Sequence, residues 1–546
     1  MNPRRTIVVG AGTAGAVLAA RLSEDPERSV TLVEAGPTPR TAEAFPPGML
    51  DASTVEGAMP GHPMNWSYLG HLTPDLPYTI ARGRIAGGSS TINGGYFMRA
   101  RSEDFARWSE RAGPDWSFDR VLPVLRELER DLDLGAGPVH GDRGPMPVRR
   151  ASQRNPVARA FAAAAHEIGF AEEPDKNAPG LPGVGPVPQN VIDGQRINTA
   201  LAYLTPARDR PNLEVHGGCR VLRVRFEGTR AVGVEVEVAQ GGRRELYGDE
   251  IVLCAGGIGT PHLLLTSGIG PAGQLRSLGI DVVHDATGVG RAFADHPEVS
   301  IGWRASRDVV DAHAPETFTT ALNFSASGAG AGDLEVMACV TTTARLLTGS
   351  ASTVAGGAKA ALRHPVSTLR ALRGASLRRV RDQVAHGRDL VLLVGLQHES
   401  ARGSITLESA DPTVQPRIDY HYLSTADDRE RLRLGVRTAV ALLRSRAFAG
   451  LFERLTELDD ATLDDDAALD AWMLTHLGTA IHLCGSAPMG PASDPGAVAD
   501  GFGRVHGVSG LRIADTSMLP DAPSRGPAAT AVLIGELVAR FMRRGD

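Results

Sequence analysis

Ile7-Val8-Val9-Gly10-Ala11-Gly12-Thr13-Ala14-Gly15 decides the fold of this chain, because an apolar strand runs directly into three spaced glycines and then into the helical stretch 16–22. The three glycines serve different purposes, namely a tight strand-to-helix turn, close approach of the backbone to a pyrophosphate, and close packing of the helix. The phosphate charge then faces the positive end of the helix dipole. The pattern predicts a dinucleotide-binding βαβ unit.

An acidic residue completes this unit. Glu34 closes the second predicted strand, residues 30–33, about twenty residues after the glycines, where a carboxylate can accept hydrogen bonds from the two ribose hydroxyls. An acid at this place argues against a ribose phosphate, so FAD or NAD is favoured over NADP.

A second glycine-rich block lies at Arg82-Gly-Arg-Ile-Ala-Gly87-Gly88-Ser89-Ser-Thr-Ile-Asn93-Gly94-Gly95-Tyr96. It offers many backbone N–H groups and little side-chain bulk, as a second approach to a phosphate or to a flat ring requires. A flexible loop is the alternative interpretation.

Composition and charge exclude several classes of function. A formal net charge of -6 over 546 residues gives no overall attraction for nucleic acid, and no module that recognises DNA or RNA stands out. The dispersed cysteines Cys219, Cys254, Cys339 and Cys484 predict neither a disulfide framework nor a metal site. The sequence before the first strand leaves no room for a signal peptide, and no apolar run approaches a membrane span, so we expect a cytoplasmic protein.

The pattern along the chain predicts two domains built from separated segments. Residues 35–78 are rich in Pro and Gly and predict loops without a regular sheet. Residues 219–260 predict a strand meander that ends in a buried strand and returns to the first sheet, and the tail predicts a helix over 528–543. We expect a mainly cofactor-binding domain in 1–294 that includes part of the substrate domain around 150–190, a mainly substrate-binding domain in 295–475, and a return to the first domain in 476–546.

A basic insert interrupts the predicted second domain. Residues 345–388 hold nine Arg or Lys residues against one acid, Asp382, with apolar residues at roughly helical spacing. The insert could be a lid over the cavity, a contact for an electron-acceptor partner, or a membrane-surface element. A solvated helical face is the alternative.

Five blocks in order resemble the glucose-methanol-choline (GMC) flavoprotein oxidoreductases over nearly the whole chain. The two glycine blocks come first. Gly256-Gly257-Ile-Gly-Thr-Pro-His-Leu-Leu-Leu-Thr-Ser-Gly-Ile-Gly-Pro271 and Gly288-Val-Gly-Arg-Ala-Phe-Ala-Asp295-His296-Pro297 follow, and Arg402-Gly-Ser-Ile-Thr-Leu407 marks the C-terminal portion, 399–540.

The resemblance implies an α/β protein, α+β overall, with a Rossmann-type FAD-binding domain and a substrate domain built on an antiparallel sheet flanked by helices. It places Glu34 at the adenosine ribose, Val221 near the adenine, and Asn93 with Gly94 against the flavin. Members with a covalent flavin carry a histidine where this chain has Ile92, so we expect non-covalent FAD. The residues expected to contact the cofactor are Gly10, Gly12, Thr13, Ala14, Gly15, Glu34, Ala35, Arg82, Gly87, Gly88, Ser89, Asn93, Gly94, Gly95, Tyr96, Val221, Ala255, Gly256, Asp515, Thr516, Pro527 and Ala528.

His482 falls on the family's catalytic histidine. Alcohol oxidation needs removal of the hydroxyl proton as hydride leaves the carbon, and an imidazole that titrates near neutral pH can take that proton. A packed core histidine is the alternative, and we interpret the neighbouring His476 as structural.

Gly526 departs from the family, since members place His or Asn there. Glycine can neither accept the substrate proton nor donate from a side chain. The family's usual pair, a catalytic histidine and a His or Asn at position 526, is therefore reduced to the imidazole of His482 unless Arg525 takes the second place. A single-base alcohol dehydrogenase, a larger substrate that uses the vacated space, and different flavin chemistry are all open.

We therefore expect an FAD-dependent oxidoreductase that oxidises a hydroxyl-bearing substrate, either a small molecule or a peptide-derived compound. Short motifs around Asn93, Gly485 and Gly526 also resemble the GMC dehydrogenases associated with the peptide-derived cofactor mycofactocin. That resemblance implies reduced mycofactocin as donor and a respiratory acceptor. A GMC oxidase or dehydrogenase for a small primary or aryl alcohol, a flavin electron-transfer protein without turnover, and an NAD-dependent dehydrogenase are the alternatives.

Overall fold

A computed structural model describes residues 4–239, 241–306, 316–327, 330, 332–348 and 389–546. In chain order its strands are β1 Arg4–Val9, β2 Arg28–Val33, β3 Tyr68–Thr73, β4 Leu76–Ile80, β5 Glu129–Asp131, β6 Met146–Arg150, β7 Val184–Pro186, β8 Pro188–Gln189, β9 Val191–Ile192, β10 Gln195–Arg196, β11 Leu213–His216, β12 Cys219–Glu227, β13 Arg230–Val238, β14 Arg243–Tyr247, β15 Glu250–Leu253, β16 Ile269–Gly270, β17 His284–Asp285, β18 Pro297–Ala305, β19 Phe318–Phe324, β20 Leu334–Cys339, β21 Leu390–Leu396, β22 Ser404–Thr406, β23 Arg417–Asp419, β24 Phe452–Leu455, β25 Leu477–Thr479 and β26 Leu511–Ile513.

The α-helices within the same residues are α1 Thr13–Leu22, α2 Ser102–Ala112, α3 Phe118–Leu128, α4 Pro156–Glu167, α5 Thr205–Ala207, α6 Gly256–Thr266, α7 Ala272–Ser277, α8 Thr343–Thr348, α9 Ala426–Leu443, α10 Asp460–Asp464, α11 Asp466–His476 and α12 Ala528–Arg544.

A five-stranded parallel sheet carries the glycine turn, in the order β11-β2-β1-β15-β26. Its strands come from the start, the middle and the end of the chain, as the return of the buried strand near residue 251 predicts. The apolar residues Ile7, Val8 and Val9 are buried because the parallel sheet packs against α1 and against the meander of β12, β13 and β14. A Rossmann-type unit therefore forms from distant segments.

The second sheet is antiparallel, in the order β24-β18-β21-β20-β19-β7, with β25 also paired to β18. Alternate side chains of its central strands, such as Leu392 and Val394, pack into a core with Phe161 of α4 and Val436 of α9. The intervening side chains, such as Leu393, line a cavity. This period of two divides the sheet into a packed face and a cavity face.

The sequence interpretation of residues 35–78 is wrong in its last part. β3 and β4 form a hairpin over 68–80 that joins β22 and β23 in a four-stranded sheet. Tyr68-Leu-Gly-His-Leu-Thr73 does not alternate between apolar and polar residues, and the neighbouring proline and glycine content obscured the strand preference of Tyr68 and Thr73. The meander of β12, β13 and β14 is confirmed.

Most of the basic insert 345–388 lies outside the described residues, apart from its beginning in α8. None of the helices in the described part of the chain combines the length and the apolar character that crossing a bilayer requires. In the region 150–190, β7 joins the antiparallel sheet and α4 packs against that sheet. The division into 1–294, 295–475 and 476–546 stays a prediction.

Candidate functional site

A cavity of about 410 Å³ opens at the carboxyl ends of β1, β15 and β26 and extends to the cavity face of the antiparallel sheet. Carboxyl ends of parallel strands are where open α/β sheets bind ligands. The structure brings most of the predicted site residues together on its wall: Gly12, Thr13, Ala14, Arg82, Gly88, Ser89, Asn93, Gly94, Tyr96, Ala255, Gly256, His482, Asp515, Thr516, Gly526, Pro527 and Ala528.

The other predicted residues lie behind this wall or beyond it. Gly10, Gly15, Glu34, Ala35, Gly87, Gly95, Val221 and Arg525 do not line the cavity. His476, at the end of α11, stacks on Trp472 with ring centroids 4.4 Å apart. It is therefore outside the cavity wall, in agreement with its structural interpretation.

Three helices begin at this cavity. The first residues of α1, α6 and α12 line it, and none of the three has a hydrogen bond from its own N-cap side chain. Backbone N–H groups at a helix start have no partner within the helix, and the helix dipole adds partial positive charge. The three starts suit a pyrophosphate and a ring that gains negative charge.

The two glycine blocks touch through their backbones. A Cβ added to Gly88 would lie 2.7 Å from Cα of Gly12, and one added to Gly15 would lie 1.9 Å from the carbonyl oxygen of Gly10. The N–H of Gly87 donates to the carbonyl of Ala11 at 2.7 Å. Side chains at these places would push the loops apart, so the cradle requires glycine.

Glu34 braces the same turn. Its two carboxylate oxygens accept the N–H groups of Ala11 at 2.9 Å and Gly36 at 2.8 Å. Burial raises the pKa of Glu34, while these backbone hydrogen bonds lower it. A carboxylate can accept further hydrogen bonds at its remaining lone pairs, so a ribose remains compatible with this arrangement.

Asp515 supports the start of α6. Its Oδ2 accepts the N–H of Gly256 at 2.9 Å and the hydroxyl of Thr260 at 2.6 Å, and its Oδ1 accepts the N–H of Ser517 at 2.8 Å. Burial raises the pKa of Asp515. The carboxylate thus links the third glycine block to the C-terminal segment on the cavity wall.

His482 follows β25 on a strained backbone. The preceding Ile481 has φ of 63°, a left-handed conformation that a β-branched residue rarely adopts. The carbonyl of Ile481 accepts a hydrogen bond from Arg82 Nη1 at 2.8 Å, and the N–H of Ile481 donates to Thr479 Oγ1 at 3.0 Å. Several contacts therefore hold a conformation that turns the next side chain into the cavity.

Asp295 ties His482 to a second histidine that the sequence analysis quoted only as part of a family marker. Asp295 Oδ1 accepts the N–H of His296 at 2.7 Å and the N–H of His482 at 2.6 Å. The two Nδ1 atoms of the imidazoles are 3.0 Å apart. Burial lowers the pKa of His482 well below its ordinary value, and the Coulombic effects of His296 and Arg82 lower it further. At neutral pH the His482 ring is a free base.

The ring of Tyr96 lies beside Gly526 and narrows the space that the missing His or Asn side chain leaves. A Cβ added to Gly526 would lie 3.0 Å from the ring of Tyr96 and 3.2 Å from Cε1 of His482. The hydroxyl of Tyr96 donates to Glu335 Oε2 at 2.9 Å, so the ring is fixed at both ends. Tyr96 occupies the position toward which a longer side chain at 526 would project.

Arg525 does not replace the missing side chain. It is 1% exposed, its Nη2 pairs with Glu173 Oε1 at 2.6 Å, and its Nη1 donates to the carbonyl of Lys176 at 2.5 Å. The guanidinium is therefore held behind the wall, and its assignment as an assisting group is corrected to a supporting one. The reason is electrostatic, because the Glu173 carboxylate offsets the cost of burying the guanidinium.

An acidic row, which no motif in the sequence indicates, lies on the cavity face of the antiparallel sheet. Glu298, Gly395 and Glu335 are register partners across β18, β21 and β20. A Cβ on Gly395 would lie 2.9 Å from Nε2 of Gln397, so the Gln397 amide lies over the glycine between the two acids. Only strand pairing unites these residues, so no local motif could have revealed them.

Glu298 is the acid of this row whose carboxylate has no hydrogen-bond donor among the described residues. Its side chain lines the cavity. Burial, and after it the nearby Glu335, raises the pKa of Glu298 to about 8. Glu335, by contrast, accepts hydrogen bonds from Tyr96 and from Asn323 Nδ2, each at 2.9 Å.

A second acidic cluster has the spacing of cation ligands. Single ligand atoms of Glu129, Asp131 and His140 lie within 4.8 Å of one another. Arg99 and Arg150 pair with the two acids, and His140 Nε2 bonds Asp175 at 2.7 Å. These ion pairs already balance the charges, so the cluster is explained as a buried salt-bridge network.

Family models described as GMC oxidoreductase match residues 5–298 and 399–535 of this chain. A protein of Rhodococcus erythropolis, described as an uncharacterized GMC-type oxidoreductase in the thcA 5' region, is 40% identical over 539 residues, which cover 98% of this chain and 97% of that protein. An oxygen-dependent choline dehydrogenase of Brucella anthropi is 33% identical over 535 residues, with 97% and 94% covered.

The fold is similar to that of a solved oxidase. The crystal structure of pyridoxine 4-oxidase from Mesorbium loti matches with a TM-score of 0.85 and 30% sequence identity, and the match covers 99% of each chain. The combination of a parallel and an antiparallel sheet around one cavity is therefore shared with a flavin-dependent oxidoreductase family.

The contact between Gly526 and Tyr96 can be tested by a double-mutant cycle. Gly526→Ala should lower the free energy of unfolding by about 1–3 kcal/mol, because the added methyl group overpacks a ring that Glu335 holds in place. In a Tyr96→Ala background the same substitution should cost little. Chemical denaturation of the four proteins measures the coupling, and equal costs in both backgrounds would contradict the packing.

Proposed function

Because this chain belongs to the GMC oxidoreductases, we propose that it oxidises a small cationic alcohol, with His482 as the base. The observation that carries the proposal is the neutral imidazole of His482, which faces a cavity with an unpaired carboxylate, Glu298, on its wall. The protein is an enzyme that acts on CH–OH groups, and FAD is its cofactor.

The residues of the cavity suit FAD. The glycine contacts leave room for a phosphate chain, the start of α1 lines the cavity beside them, and Glu34 lies at the end of β2. When bound here, FAD supplies the acceptor for a hydride. Asn93, Pro527 and Ala528 would lie against its ring, and Thr13 with Ser89 would approach its phosphates.

His482 accepts the proton that the oxidation releases. The substrate O–H bond breaks toward Nε2 of His482 while hydride leaves the adjacent carbon, so a carbonyl product and an imidazolium remain. Without His or Asn at position 526, His482 has no partner of the usual kind. Tyr96 closes that side of the cavity and keeps the alcohol beside His482.

The acidic row supports a cationic substrate. An ammonium group near Glu298 would neutralise a buried carboxylate that otherwise lies beside Glu335. Gln397 adds a buried Oε1 that accepts no hydrogen bond within the described residues and can face a donor group. The choline dehydrogenase relative acts on a substrate of this charge.

Mycofactocin remains the second candidate donor, on the subgroup motifs alone. The sequence interpretation would place the bulky mycofactocin molecule beside Gly526, where the ring of Tyr96 lies. An electron-transfer protein without turnover is the alternative of another class. Anaerobic flavin reduction by an amino alcohol or by reduced mycofactocin distinguishes the three candidate functions. The donor that reduces the flavin identifies the substrate, and reduction by neither donor favours the electron-transfer protein.

Anaerobic reduction of the flavin tests the base. We expect amino alcohols to reduce the bound FAD, and His482→Ala to slow this reduction by about 10²–10⁴-fold, the usual contribution of a positioned base. Because the pKa of His482 is lowered, the wild-type rate at saturating amino alcohol should stay constant between about pH 8 and pH 6.5. Stopped-flow absorbance measures the rate, and an unchanged rate in His482→Ala would overturn the assignment.

The acidic row predicts a pH dependence of substrate binding. A pKa of about 8 means that Glu298 is protonated below that pH and ionised above it. Affinity for a cationic alcohol should therefore rise with pH and level off above 8, by up to about tenfold per unit well below the pKa.

Two controls separate this effect from others. An uncharged alcohol of the same size should show no such dependence, and Glu298→Gln should remove it for the cation. A KM for the cation that does not change with pH, or changes equally for both alcohols, would contradict the role of Glu298.

Ile92 predicts how the flavin is held. Its aliphatic side chain lines the cavity and has no atom that can form a bond to the flavin. Denaturation with acid, followed by filtration, should release all of the FAD into the filtrate, as absorbance would show. Yellow colour retained on the precipitated protein would contradict non-covalent binding.

A further inference from the structure

His296 has no assigned role, although it touches the base directly. It is fully buried, and its ring stands edge-on to that of His482, with centroids 5.2 Å apart and an interplanar angle of 83°. Its Nδ1 lies 3.0 Å from Nδ1 of His482, and its Nε2 lies 3.0 Å from the carbonyl oxygen of Pro523.

The partners determine where the hydrogens are. A carbonyl oxygen can only accept, so Nε2 of His296 carries a hydrogen and donates it to Pro523. Burial lowers the pKa of His296 to about 3, so the ring is neutral and its Nδ1 has a lone pair. The atom facing this lone pair, Nδ1 of His482, must then carry a hydrogen and donate it.

This arrangement leaves one consequence for His482. A neutral imidazole carries a single N–H, so its Nε2 is unprotonated when its Nδ1 is occupied. No described residue donates a hydrogen bond to Nε2 of His482, and the ring lies on the cavity wall. We propose that His296 is a positioning residue, which uses the Pro523 carbonyl to hold His482 in the tautomer whose Nε2 can take the substrate proton. The inference deepens the proposed function and rests on it for its kinetic meaning.

The charged groups around His296 do not reverse this assignment. Asp295 contacts its backbone N–H, and the nearby His398 lowers its pKa, whereas Asp104 raises it. Arg82 donates to the carbonyl of Ile481 and lowers the pKa of the His482 ring. Asp295 is held by backbone N–H groups, so it leaves the ring nitrogens of both histidines to each other.

Two substitutions separate the two nitrogens of His296. His296→Asn keeps an acceptor oxygen near the place of Nδ1 and loses the donor to Pro523. His296→Gln keeps a donor near the place of Nε2 and loses the acceptor for His482. His296→Leu removes both. We expect His296→Asn to retain the rate of flavin reduction within about threefold, and His296→Gln and His296→Leu to lose about 10–100-fold in kcat, with KM and flavin content little changed.

A spectroscopic measurement tests the tautomer without turnover. In the FAD-loaded wild-type protein labelled with ¹⁵N-histidine, the signals of His482, assigned by comparison with His482→Ala, should show hydrogen on Nδ1 and none on Nε2. His296→Leu should yield a mixture of tautomers.

The outcomes are distinct. Hydrogen on Nε2 of wild-type His482, or equal losses in His296→Asn and His296→Gln, would overturn the role of His296. If no donor reduces the wild-type flavin, the proposed function fails, whereas the tautomer measurement still decides whether His296 positions His482.

Discussion

The backbone contact between the two glycine blocks is the constraint on which the rest of the cavity depends. Gly88 approaches Gly12 so closely that a single methyl group would separate them, and Gly15 lets α1 lie against the turn that precedes it. This approach brings the start of α1 to the carboxyl edge of the parallel sheet. Two further helices begin at the same edge because β15 and β26 pair beside β1. Their N–H groups converge where a dinucleotide needs them.

The chemistry is added by segments that are far apart in sequence. Asp295 holds the backbones of His296 and His482 with one carboxylate oxygen, and this fixes the distance between two imidazoles that are 186 residues apart. Burial keeps both rings neutral. The base is therefore ready without prior deprotonation, and its reactive nitrogen is selected by hydrogen bonds that reach back to the Pro523 carbonyl.

Glycine at position 526, where family members have His or Asn, is compensated by the ring of Tyr96. The glycine alone would open space, yet the tyrosine ring lies against it and its hydroxyl reaches Glu335. The same contact connects the second glycine block to the acidic row on the antiparallel sheet. A large ring beside a glycine conserves packing volume, so Tyr96 narrows the cavity at Gly526 while its hydroxyl contacts the acidic row.

By itself, the sequence determined the parallel sheet, the glycine cradle and the family, and it predicts His482 as the base. These features depend on local spacing: a strand, three glycines and a helix are neighbours in the chain, and each motif contains its own geometry. Tertiary structure alone decided four contacts. They are the partner of His482, the position of Tyr96 beside Gly526, the ion pair of Arg525 with Glu173, and the strand register that places Glu298 and Glu335 on either side of Gly395. Strand register, burial and long-range hydrogen bonds fix these contacts, and none of them leaves a periodic or local signal in the order of the residues.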